Sequence, residues 1–309
     1  MSTVATTIEG RMLCASVLTY SIPFVYPPTG PTPQTEPYYS GVGYSTPPVM
    51  IGSDANNSNA ACTVGINQDG IVLAFRGTVY NSIMDWVNDL LVKPVAVTGI
   101  QGKVHDGFNN AVNAILAPIV MQIKSLLKAN PSAKLYITGH SKGAGMAPIA
   151  AYYLSNLGIY ATSVYLFAPP LSGTSDYATA YNKLFPDTFL YENYLDIVPL
   201  LPPAPTTAGT LDFYFLKLGT IEGVAAAVAI TAIGLLGYSA VGTLNTTFYI
   251  PNPINGVYTL VPMTNTLASQ QLQDICTALI AGDFSLFANA HNSRCGYGYM
   301  SAIAPNVCN

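Results

Sequence analysis

Charged side chains make up only 8% of this 309-residue chain, whereas half of it is hydrophobic. The 11 Lys and Arg residues are scattered and the net charge is −4. No basic run could line a groove for a polyanion, so nucleic acid is excluded as a partner. Histidine is confined to positions 105, 140 and 291, and neither these nor the five cysteines fall at metal-ligand spacing. No metal and no organic cofactor are expected. No C-x-x-C is present. Cys276, Cys295 and Cys308 lie close together near the C-terminus, where buried free thiols are the favoured reading and one disulfide is the alternative, and Cys14 and Cys62 stand apart. A secretory leader is not read at the start, because Glu9 and Arg11 interrupt it. The compartment stays open between secretion after loss of a leader and the cytoplasm.

Apolar residues, by contrast, are abundant and periodic. Val4, Ile8, Met12 and Val17 recur near helical spacing and predict an opening amphipathic helix. Residues 23–59 read as loop, with prolines throughout. A hairpin is expected from Ala61–Ile66 and Ile71–Phe75 around Asn67-Gln68-Asp69-Gly70. Helices are expected over 81–91, 108–128 and 144–157, and strands over 135–138, 163–167 and 188–192. Strands alternating with helices predict a single α/β domain with a mostly parallel sheet covered on both faces. Residues 203–262 break the rhythm and read as an insertion or cap within that domain. Their uncharged run Gly223 to Leu244 is long enough to span a bilayer, but it is mostly Ala, Gly, Thr and Ser, which insert weakly. A transmembrane span is therefore disfavoured against a buried or cap helix.

Gly139-His140-Ser141-Lys142-Gly143 follows the strand-like run Leu135 to Thr138 and precedes a helical stretch. A sharp turn between strand and helix exposes a serine hydroxyl, and glycines two residues to either side remove side chains that would collide there. The amide of Lys142 would lie at a helix N-terminus, suited to an oxyanion. A serine nucleophile needs an imidazole. His140 adjoins the serine and His105 precedes it, which leaves His291 in the chain order serine, acid, histidine. Asp196, following the run 188–195, is the favoured acid over Glu192, Asp187 and Asp212. Thr78, after Gly77 at the end of the strand Ile71–Phe75, can complete an oxyanion hole.

Phe75-Arg76-Gly77-Thr78, Asp85-Trp86-Val87-Asn88-Asp89-Leu90, Val104-His105-Asp106-Gly107-Phe108, Gly139-His140-Ser141 and Asp196-Ile197-Val198-Pro199 together resemble the ordered landmarks of the class 3 lipases. The resemblance covers roughly residues 60–202 plus His291. It implies an α/β-hydrolase fold, carboxylic-ester hydrolysis through Ser141, Asp196 and His291, an oxyanion hole at Thr78 and the Lys142 amide, and a structural role for His105. Lys142 departs from the family's usual leucine. The family's lid would correspond to Tyr80–Leu91, where Ile83, Met84, Trp86, Val87 and Leu90 supply an apolar face. Lipid or other apolar ester substrates, met at a lipid–water interface, are the expected partners. Phospholipids, feruloyl esters and polyesters are alternative substrates for the same triad, and a non-catalytic lipid- or membrane-binding protein is the distant alternative. Oligomeric state is not legible.

Overall fold

The computed structural model describes residues 3–22, 37–53, 60–78, 92–217, 219–282 and 284–308. Along the chain run α1 (Ile8–Leu18), α2 (Pro37–Val42), β1 (Val49–Gly52), β2 (Ala61–Ile66), β3 (Ile71–Phe75), β4 (Pro94–Ala96) and β5 (Lys103–His105). Next come α3 (Asp106–Ala129), β6 (Leu135–His140), α4 (Lys142–Asn156), β7 (Ser163–Phe167), β8 (Gly173–Thr174), α5 (Ser175–Leu184) and β9 (Thr188–Asn193). The C-terminal part holds α6 (Pro205–Lys217), α7 (Ile221–Gly234), β10 (Tyr238–Ser239), β11 (Thr247–Ile250), β12 (Val261–Pro262), α8 (Asn265–Ala281), α9 (Phe284–His291) and α10 (Gly298–Ile303).

The main sheet has the order β1-β2-β3-β6-β7-β9-β11-β12. Its centre, β3 through β11, is parallel, and antiparallel pairs close both edges. This is the α/β-hydrolase arrangement. Alternation along the strands sorts side chains to two faces. Leu73, Phe75, Ile137 and Leu166 face one core with α3 and α4, while Val72, Ala74, Tyr136 and Phe167 face a second core with α1 and α10. The stripe read for α3 is real: Val112, Ile115, Ile119 and Ile123 are fully buried, each contributing roughly 1.5–3 kcal/mol. α3 is also, among the described residues, the one helix long and apolar enough to cross a membrane. Here that stripe packs on the sheet.

Several expectations change. α1 forms, but it is not one-sided: every residue from Gly10 to Leu18 is buried. It crosses β6, where Ser16 Oγ and Thr138 Oγ1 meet at 2.9 Å, and Arg11 reaches the β2–β3 turn through bonds of 2.6 and 2.8 Å to Asp69. The stretch read as loop contains α2 and β1, whose first helical residue is a proline and whose strand is three apolar residues after two more. In 203–262, β11 pairs in parallel with β9 and β12 with β11, so those strands extend the central sheet. Asn255-Gly256 forms a turn bridged between Ile254 and Val257. The helix read as buried or as a cap is α7, and it leaves Val224, Val228 and, just beyond it, Leu235 exposed. At 14 residues it is also too short for a bilayer, about 21 Å at 1.5 Å per residue. Cys295 and Cys308 form a disulfide, while Cys14, Cys62 and Cys276 are buried free thiols.

Candidate active site

Ser141 stands between β6 and α4 with φ 61° and ψ −132°, a conformation that costs a non-glycine residue on the order of 1–3 kcal/mol. The flanking glycines show how the turn is made. A Cβ on Gly139 would lie 2.3 Å from the carbonyl carbon of Gly143, and a Cβ on Gly143 would lie 2.3 Å from the Phe75 carbonyl oxygen. The serine turn is therefore pressed against the end of β3, which carries Arg76, Gly77 and Thr78. A Cβ on Gly77 would fall 2.8 Å from the His140 carbonyl oxygen. Thr78 Oγ1 is buried with no hydrogen-bond partner among the described residues.

Asp196 is completely buried after β9. Its carboxylate accepts from His291 Nδ1 at 2.9 and 3.0 Å, from Tyr299 Oη at 2.7 Å and from the Val198 amide at 3.0 Å. Three donors hold a buried anion that would otherwise be costly. His291 is the last residue of α9, and its side chain remains 17% exposed. Its ring lies 4.6 Å, centroid to centroid, from that of His140, the residue before the serine. The structure thus brings Asp196 and His291 into contact and sets the imidazole beside the serine turn.

His140 is buried at the end of β6. Nε2 lies 2.9 Å from the His291 carbonyl and Nδ1 lies 2.8 Å from Tyr20 Oη. Burial, and then the neighbouring His291, hold its pKa well below the ordinary histidine value, so the ring is neutral. Its nitrogens are committed elsewhere, in keeping with His291 as the base. His105 caps α3, accepting from the Phe108 amide at 3.3 Å and stacking on the Phe108 ring at 3.9 Å. Glu192 is largely covered; burial, and then the Asp196 charge, push it up to about 7, against a hydrogen bond from Gln271. Among the described residues no group of His, Cys, Asp and Glu could hold a metal ion. Tyr20, Asn193 and Tyr299 were missed in the sequence. The lid residues Ile83, Met84, Trp86, Val87 and Leu90 lie outside the described residues.

Residues 72–206 match the family model described as Lipase (class 3). A lipase of Rhizomucor miehei is 32% identical over 154 residues, 48% of this chain and 42% of that protein. The secreted mono- and diacylglycerol lipase A of Penicillium cyclopium is 30% identical over 158 residues, 48% of this chain and 49% of that one. The chain thus spans less than half the length of these curated relatives. Among solved structures, the mono- and diacylglycerol lipase from Aspergillus oryzae covers 98% of this chain and 100% of its own, with a TM-score of 0.65 at 20% identity. That likeness is one of fold.

Proposed function

We propose that this chain is a member of the class 3 lipase family, whose model matches residues 72–206, and a serine hydrolase of carboxylic esters with apolar acyl groups. Ser141 Oγ attacks the ester carbonyl while His291 Nε2 takes its proton, Nδ1 being bonded to Asp196. Asp196 fixes that tautomer and stabilises the imidazolium. The Lys142 amide and Thr78 receive the oxyanion of the tetrahedral intermediate. The proton then passes from Nε2 to the leaving alcohol oxygen, the carbon–oxygen bond breaks, and an acyl-enzyme remains. Water, deprotonated by the same nitrogen, attacks that ester, and the carboxylic acid leaves as Ser141 recovers its proton. Acylglycerols are the proposed substrates, because the matched relatives are named as lipases, two of them for mono- and diacylglycerols.

The observation that carries this reading is the bond between His291 Nδ1 and a fully buried Asp196, set beside a serine held at positive φ. Hydrolysis of p-nitrophenyl esters of graded acyl length tests it. Ser141→Ala is expected to abolish turnover and leave the unfolding transition intact; turnover equal to that of the wild type would refute the assignment.

A further inference from the structure

The triad leaves Tyr20 and His140 without an assigned task, although both press against it. We propose that Tyr20 and His140 form a positioning relay that fixes the backbone of His291, and so aims its imidazole, from behind the nucleophile. The inference rests on the hydrolase reading above.

The proton positions follow from the acceptors. A carbonyl oxygen only accepts, so His140 Nε2 must carry the hydrogen in its 2.9 Å contact with the His291 carbonyl. The neutral ring then has a bare Nδ1, which accepts from Tyr20 Oη at 2.8 Å. The opposite tautomer would point a lone pair at the carbonyl, so the hydroxyl and the carbonyl select the same form. Tyr20 itself is seated by a close approach. A Cβ on Gly77 would lie 2.0 Å from Tyr20 Oη, so only glycine lets the phenol in. One hydroxyl therefore backs the oxyanion turn and holds the residue that precedes the serine.

The recipient needs such a grip. α9 has only eight residues, too few to be stable alone, and its last carbonyls have no partner within the helix. Two consecutive ones are held from the sheet: Ala290 O by Asn193 Nδ2 at 2.7 Å and His291 O by His140 Nε2. With the side chain bonded to Asp196, these contacts define where the imidazole sits. Tyr20 comes from the turn after α1, before the 72–206 stretch that matches the family model.

The test uses the whole purified chain and a soluble p-nitrophenyl ester. Tyr20→Phe is expected to lower kcat about tenfold, roughly what one neutral hydrogen bond is worth, with KM changed less than about twofold. His140→Ala should cost more. His140→Gln, whose amide can donate from the Nε2 position, should recover most of that loss. Tyr181→Phe is the comparator: it forfeits a buried 3.0 Å hydroxyl contact with Thr188 at the start of β9 and should keep full kcat. Equal kcat for Tyr20→Phe and Tyr181→Phe, or no recovery in His140→Gln, overturns the relay. Should either variant fail to fold, nitrogen NMR of the wild type reports the His140 tautomer, and a proton on Nδ1 overturns it too. Ser141→Ala runs in parallel: turnover that depends on Ser141 but not on Tyr20 removes the relay alone, whereas a wild type without turnover removes the hydrolase reading and the relay with it.

Discussion

Replacing Tyr299 by phenylalanine deletes one oxygen from the most heavily buried part of the site. That oxygen donates to Asp196 Oδ2 at 2.7 Å and accepts from the Asn193 amide at 3.1 Å. Tyr299 and Asp196 are both fully buried, so water cannot replace either contact. The bond to the carboxylate is charge-assisted and worth about 1.5–3 kcal/mol, and stranding a buried amide costs about 1–3 kcal/mol more. The ring itself keeps its packing. Tyr299→Phe is thus expected to lose about 3 to 5 kcal/mol in urea unfolding, with an unchanged slope against denaturant. Its kcat should also fall, because the carboxylate that aims His291 has lost one of its three donors. A loss below about 1 kcal/mol with wild-type kcat would refute the reasoning, since it would mean that Asp196 is held without that hydroxyl.

Glu192 gives a pH-dependent prediction. With its pKa raised from 4.5 to about 7, the folded protein keeps a proton that the unfolded chain has lost, so this residue's contribution to stability falls as pH rises from 4.5 to about 7 and is level above. Glu192→Gln should therefore stabilise by up to about 3 kcal/mol at pH 8 and by nothing at pH 4, read from Tm across pH; the same shift at both pH values would contradict the assignment. Gly143→Ala would drive a methyl to within 2.3 Å of the Phe75 carbonyl oxygen, so little folded, active protein should be recovered. Gly209→Ala in α6, where a Cβ meets nothing within 4 Å, should raise stability by up to about 1 kcal/mol and leave turnover unchanged.

What the sequence made legible was local. Short apolar runs in 71–75, 135–138 and 163–167 announced strands, as strands buried on both faces of a parallel sheet do, and the α3 stripe announced a helix because it reports burial on one face within a few residues. Ser141 was legible for the same reason, since its glycines answer contacts made within one turn. β11 was not: it lies between β9 and β12, and nothing in three apolar residues names a partner more than fifty residues earlier. Tyr20, Asn193 and Tyr299 were invisible because their meaning lies in contacts across the fold, 120 residues from Tyr20 to His140 and 103 from Tyr299 to Asp196. His140 was set aside as the base on its adjacency to the serine. Its nitrogens are indeed committed elsewhere, but adjacency could not reveal that one of them holds the His291 backbone. The apolar run after Gly223 read as a buried or cap helix, and composition could not choose between them because it says nothing about which neighbours are present; Val224 and Val228 of α7 are exposed.

The central claim is that Ser141 is a nucleophile activated by His291. A fluorophosphonate probe followed by peptide mapping tests it at a single atom. The account predicts one phosphonyl adduct, on Ser141, formed much more slowly in His291→Ala than in the wild type. An unlabelled Ser141 in folded protein, or labelling at the same rate without the imidazole, would contradict it.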